Sequence, residues 1–207
     1  MAIETPGYTV VEKDKNFEIR DYEPCIIATV TLNNMSFEKA SNIGFRLIAD
    51  YIFGNNTTQS KVAMTAPVIQ ASKPQSEKIA MTAPVNLAYI NENSYEVSFF
   101  MPKKYTLETL PKPNNTTINL REVPANRKAI IKFSGGTQQE RVNRIKDELT
   151  TWMKKKNLNQ KSEATLARYD PPYVPKFLRK NEISILIKVN NTRNLKSRTQ
   201  AGNKVIE

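Results

Sequence analysis

Apolar and polar positions alternate through the first segment, YTVVEKDKNFEIRDY from Tyr8 to Tyr22. The run is rich in β-formers, and DKN interrupts it near Lys15, which predicts a hairpin. PCIIATVTL predicts another strand, opened by Pro24. In SFEKASNIGFRLIADYIFG the apolar period lengthens to that of a helix, with Ser36 as N-cap and Gly54 as stop. YEVSFFM, INLREV and RKAIIKF return to period two and predict strands. SGGTQQERVNRIKDELTTWMKKK predicts a second helix capped by Thr137, with Val142, Ile145, Leu149, Trp152 and Met153 on one face. SEATLARY and EISILIKV are the last strands, and DPPYVPKF between them is a loop.

One short pattern is written twice: KVAMTAPV at 61–68 and KIAMTAPV at 78–85. Each copy predicts a strand, with Pro67 and Pro84 ending the ladder and polar QASKPQSE turning between them. A longer symmetry lies above this repeat. IRDYEPCIIATV from Ile19 aligns without a gap on LREVPANRKAII from Leu120, and at the same offset KVAMTAPV falls on SEATLARY. The order strand, strand, helix, strand thus occurs twice. It implies two pseudo-symmetric ββαβ-type halves, about 8–90 and 95–189, whose sheets meet face to face or close into a barrel, each covered by a helix. Together they form a single domain over 1–189, with a ligand-accepting cleft between the halves. The polar, basic stretch 190–207 has no periodic apolar face and is expected to be a disordered tail.

The complete absence of histidine changes the functional picture most. It excludes Ser-His-Asp and Cys-His catalysis, a histidine zinc site and a proximal histidine on haem iron. A single cysteine, Cys25, precludes an internal disulfide and fits a reducing, cytoplasmic setting. MAIETPGYTV does not read as a secretory signal, and no stretch approaches the roughly 20 apolar residues of a membrane span. The net charge of +11 either biases the surface toward anions or serves solubility alone, and no basic-helix or zinc motif indicates nucleic acid.

The two helices differ in apolar width. In the second, the large apolar residues span roughly 100° of arc, enough to face a core. In the first, Ala40, Ile43, Leu47 and Tyr51 form a core stripe, and Phe45, Ile48, Ala49 and Ile52 widen the arc to roughly 200°. The surplus either packs under a loop or lines a pocket for an apolar ligand. Asn42 and Arg46 beside it are placed to meet an anionic group.

TPGYTVVEK, FEIRDYEP, the paired MTAPV segments and YDPPYVPKFLRKNEI together resemble the SOUL haem-binding protein family over about residues 5–189. The resemblance implies a distorted antiparallel β-barrel flanked by two helices, an α+β fold built from a duplicated unit and shared with effector-binding domains. It implies a soluble protein that binds haem or another tetrapyrrole between the first helix and the loop before the last strand. Carried over by position, the pocket comprises Asn42, Phe45, Ala49 and Asp50 on the helix, and Tyr173, Val174 and Lys176 on the loop. In some relatives a cation stands where this chain has Asn42; here Arg46 lies one turn on.

A small apolar anionic ligand suits these residues. Phe45, Ala49 and Ile52 offer apolar contact to a flat ring, and Arg46 and Lys176 offer charge to its carboxylates. Without an imidazole ligand, binding is expected to be weak and exchangeable, suited to carriage or buffering by a monomer. Met64 and Met81 read as core fillers, and Cys25 as a small buried hydrophobe. The alternative is a binding module for another apolar or cationic small molecule, for which acids in the cleft, Glu18, Glu122 or Glu182, would be needed. No catalytic motif is present, so the chain is read as a binding protein with no enzymatic activity.

Overall fold

The computed structural model describes residues 3–58, 75–91, 93–171 and 173–188. In the N-terminal half the chain forms β1 (Tyr8–Asp14), β2 (Phe17–Tyr22), β3 (Cys25–Leu32), α1 (Phe37–Ile52), β4 (Asn56–Thr57), β5 (Val85–Asn91) and β6 (Ser94–Phe100). It continues through β7 (Lys112–Pro113), β8 (Asn119–Val123), β9 (Asn126–Ser134), α2 (Gln139–Lys155), β10 (Thr165–Arg168) and β11 (Lys180–Leu186). Nine strands make one antiparallel sheet in the order β1-β2-β9-β11-β10-β5-β6-β3-β8, while β4 and β7 pair separately. The sheet curls into a half-barrel, with α1 packed on β3 and β6 and α2 on β9 and β11.

Strand order carries the predicted two-fold relation. From opposite ends, β2-β9-β11-β10 corresponds to β8-β3-β6-β5, and β10 pairs with β5 at the centre. The opening strand of each half crosses over: β2 lies on β9, and β8 lies on β3. Pro24 and Pro124 stand at the two equivalent corners, between β2 and β3 and between β8 and β9. A residue without an N–H and with a fixed φ suits a chain that leaves one partner and turns to another.

The MTAPV copies do not form the predicted pair of strands. The first, at 61–68, lies outside the described residues. The second makes only an isolated bridge, Thr82 with Glu4, and the ladder starts at Val85, after the proline that cannot donate to it. The strand equivalent to β10 is therefore β5, which follows the second copy, rather than the first copy matched in sequence. The first half runs from Ile52 to Val85 between helix and strand, the second only from Lys155 to Thr165. The first half thus carries an insertion, and a gapless alignment cannot see it.

Helix boundaries follow local chemistry. Ser36 Oγ accepts from the Lys39 backbone N–H at 3.4 Å, and Gly54 adopts φ 122, a conformation that glycine reaches without strain. The predicted Thr137 cap is corrected: α2 begins after Gln138, which makes no side-chain capping bond. The buried line of α1 is also shifted, running through Phe37, Ala40, Ser41, Gly44, Ile48, Tyr51 and Ile52. Ile43 and Leu47 flank it and are only partly buried. On α2 the predicted stripe is buried as a whole, and Trp152 stacks on Phe17 at 5.0 Å while its indole N–H donates to Asp14 at 2.9 Å.

Gly44 explains the shift in α1. A Cβ there would lie 2.4 Å from Val97 Cγ2 on β6, so the helix backbone rests directly on the sheet. In an exposed helix, Gly→Ala stabilises by about 1 kcal/mol. Here Gly44→Ala is expected to destabilise by about 1–3 kcal/mol through overpacking. Combining it with Val97→Ala should recover part of that loss, as measured by urea denaturation; strictly additive losses would refute the close approach.

Candidate ligand-binding surfaces

On α1, Asn42, Arg46 and Asp50 are exposed, and the Asp50 carboxylate accepts from the Asn55 amide at 2.6 Å. Phe45 is half-buried, its ring 5.6 Å from that of Phe99. Ala49 and Ile52 do not widen an exposed flank: Ala49 is buried, and Ile52, at 0% exposure, belongs to the core. Both lie beneath the surface because the buried line of the helix is centred on Gly44 and Ile48. Tyr173 is 87% exposed, Val174 half-buried and Lys176 exposed, and Phe177 and Leu178 beside them are also exposed. Arg179 Nε donates to the Val174 carbonyl at 2.8 Å, and the Lys180 N–H donates to Asp170 at 2.5 Å, fixing the loop ends. Arg168, at the strand end leading into this loop, donates to Ser41 Oγ on α1.

The other face of the sheet, turned away from the helices, is concave and polar. Alternation along β2 sends Phe17 and Ile19 to the helical core and Glu18, Arg20 and Tyr22 to the concave side. Arg20, at 0% exposure, grips both oxygens of Glu182 at 2.7 and 3.0 Å and donates to Glu18 at 2.7 Å. It also donates to Tyr22 Oη at 3.0 Å and lies 4.2 Å over the ring of Tyr8. Lys132 reaches the second oxygen of Glu18 at 2.5 Å, and Tyr169 Oη donates to Glu182 at 2.6 Å. Burial alone would raise the Glu18 carboxyl, but the Lys132 and Arg20 hydrogen bonds outweigh it and hold the group below its ordinary range. Burial pushes the Tyr22 phenol up to about 12.

Two open cavities border this face. The first, about 800 Å³, is lined by residues of both halves, among them Ile27, Asn86, Ser98, Phe100, Lys128 and Leu186. Arg121, Arg127, Lys161 and Lys188 add positive charge to its lining, against the single carboxylate of Glu96. The second, about 830 Å³, lies at the sheet end and carries Glu4, Glu23 and Glu122 with Cys25, Met101 and Tyr105. Neither cavity is lined by α1 or by residues 173–178. Glu18 and Glu182 were legible as cleft acids; Arg20, which consumes both, and Lys128 beside it were not singled out. The alternation in FEIRDY held that signal, because it places a cation between two polar side chains on one face.

The SOUL heme-binding protein family model matches residues 3–186. The chain belongs to this family. Human heme-binding protein 2 is 28% identical over 116 residues, covering 54% of this chain and 51% of that protein. The mouse protein of the same name is 23% identical over 121 residues, covering 56% and 53%. The chain thus spans about half the length of the curated relatives it matches. Among solved structures, the EcmrR C-terminal domain superposes with a TM-score of 0.59 at 12% identity, covering 87% of this chain and 98% of that one. That likeness establishes the shared half-barrel, an effector-binding-like fold, and nothing about the ligand.

As a SOUL protein without histidine, the chain has few groups to offer to haem iron. Burial pushes the Cys25 thiol up, away from the thiolate that would ligate a metal. Tyr22 and Tyr169 are tied to Arg20 and Glu182. Among the described residues no group of three His, Cys, Asp or Glu side chains is placed to hold a metal ion, and no helix is long and apolar enough to cross a membrane.

Removing Arg20 would leave two buried carboxylates without their main partner. Arg20→Met is expected to cost about 3–5 kcal/mol in chemical denaturation. Because the folded Glu18 carboxyl titrates below its ordinary 4.5, its contribution to stability is complete above that pH and is lost as the pH falls through the folded value. Glu18→Gln should therefore lower Tm most at neutral pH, and the gap to the parent should close in acid. A gap that stays constant down to pH 3, taken as roughly a unit and a half below the ordinary carboxylate range, would contradict this.

Proposed function

We propose that this SOUL protein binds haem or a related tetrapyrrole as an exchangeable ligand, without a histidine on the iron, in a carrier or buffering role. The observation that carries the reading is the exposed aromatic and apolar loop, Tyr173, Phe177 and Leu178, tied toward α1 through the Arg168–Ser41 bond. Large apolar side chains left in water on a braced loop are more often a contact surface than a folding requirement. Phe45 would cover part of the ring, with Tyr173 and Val174 opposite. Arg46 and Lys176 would meet the propionates, and Asn42 and Asp50 would border the seat. Ala49 and Ile52 would act from beneath, as the packing that holds Phe45 in place.

Family membership supports a binding protein with no catalytic role, and the names of the relatives point the same way. A bound tetrapyrrole brings its own visible absorption and iron chemistry; the residues named here only bind and orient it. The alternative, a cationic apolar guest, is favoured only at the cavity carrying Glu4, Glu23 and Glu122, where Glu23 is already paired with Lys103 at 2.7 Å. On the concave face, Glu18 and Glu182 are consumed by Arg20 and cannot serve such a guest.

Haemin titration followed at the Soret band should give a saturable change. Phe45→Ala should weaken it by about tenfold, the equivalent of losing roughly 1.4 kcal/mol of ring contact. Arg46→Glu should weaken it further at low salt than at high salt. No saturable change in the parent would remove the haem reading, and unchanged affinity in both variants would move the seat away from α1.

A further inference from the structure

The charges on the concave face do not balance. Arg20, Lys132 and Lys128 stand on neighbouring strands, with Lys128 directly opposite Arg20 on β2 and opposite Leu186 on β11. Two carboxylates serve this group. Glu182 is taken by Arg20, and Glu18 is shared between Arg20 and Lys132. Neither forms an ion pair with Lys128, which Glu182 attracts only from a longer distance. Among the described residues no carboxylate lies within 4.0 Å of its ammonium, whose recorded neighbour is the Tyr22 ring at 5.1 Å. Of the other cations around the same cavity, Arg127 holds Asp21 through two bonds of 2.6 Å and Arg121 holds Glu96 at 2.9 Å, while Lys161 and Lys188 are exposed and solvated by water rather than held in the wall.

A half-buried ammonium beside a like charge, without a counter-ion, is costly unless something else supplies the anion. Burial drives its pKa down, and the attraction of Cys25 and Glu182 from beyond contact distance offsets only part of that. Its surroundings describe the missing partner. The cavity of about 800 Å³ also presents Ile27, Phe100, Val123 and Leu186. Its size falls within the range of small-molecule sites, and apolar walls around one charged group are how such sites orient a ligand.

We propose that the concave cavity is a second ligand seat, separate from the α1 surface, that takes an apolar organic carboxylate with its head group on Lys128. The body of the ligand would start beside Leu186, next to the head group, and lie along Ile27 and Phe100, and Asn86 and Ser98 would offer it hydrogen bonds. An aliphatic acid and a tetrapyrrole side chain share this chemistry, so the test includes both.

Decanoate and decan-1-ol, identical except for the charge, are titrated into the protein by calorimetry. Decanoate is expected to bind at one site at least about tenfold more tightly than the alcohol, the scale of one charge-assisted contact. Lys128→Met should abolish that preference with the thermal melt retained, and Phe45→Ala should leave it unchanged. Displacement of decanoate by protoporphyrin IX would identify the tetrapyrrole as an occupant of this seat, and failure to displace would identify the aliphatic acid. Should Lys128→Met not fold, amide NMR of the parent decides: decanoate must shift Asn86 and Ser98. Equal affinity for acid and alcohol, a preference that survives Lys128→Met, or shifts confined to α1 and residues 173–178 would overturn the proposal. The haemin result on Phe45→Ala stands or falls independently, because that residue does not line this cavity.

Discussion

The bond between Arg20 and Glu182 joins the two ends of the chain, 162 residues apart, where the guanidinium is fully buried and the carboxylate nearly so. A guanidinium with no exposure must find its counter-charges or the fold does not form. Glu18 comes from its own strand, Glu182 from the last strand of the other half, and the fork geometry of arginine allows both to be held at once. The requirement fixes register. A one-residue slip of β2 along β9 would turn Arg20 into the helical core and Ile19 into the polar face. The hydrophobic pattern and the ion cluster therefore specify the same register from opposite faces of the strand.

From that constraint the two faces acquire different work. The helix side is filled by one apolar cluster running from Ile19 and Ala28 through Leu87, Phe99 and Ile131 to Leu149 and Ile185. It is dense enough that α1 needs a glycine to approach Val97. The concave side is built from the alternate residues of the same strands, polar, charged and open to cavities. Binding capacity therefore comes with strand alternation itself: one set of positions builds the core, and the intervening set is left free for recognition.

Much of this was legible in the chain. Period two and period 3.6 located the hairpin, both helices and the main strands, because local pattern and tertiary environment agree there. The doubling of the architecture was legible from IRDYEPCIIATV and LREVPANRKAII, which align without a gap and precede a helix in each half. What failed was non-local. MTAPV looks like a strand, yet proline blocks the ladder until Val85, and a gapless comparison could not place the insertion that precedes it. A helical wheel shows the width of the apolar arc that includes Ala49 and Ile52, but not where its centre meets the sheet, so it leaves open whether they are covered or exposed. Arg20 and Lys128 passed unnoticed because the value of a charge depends on the charges opposite it, and pairing across strands is written in three dimensions.

The crossing of β2 and β8 into opposite halves carries a consequence for how such a fold could arise. A half-length chain with this connectivity, expressed alone, would leave its opening strand without the partner it takes from the other half: β8 would lose β3, and β2 would keep only β1. Two copies would satisfy each other by reciprocal donation, giving a swapped homodimer with the same strand order. Joining the copies head to tail converts that dimer into a monomer without altering a single pairing. Thereafter each copy is free to drift, and one of them can accept an insertion that its twin lacks.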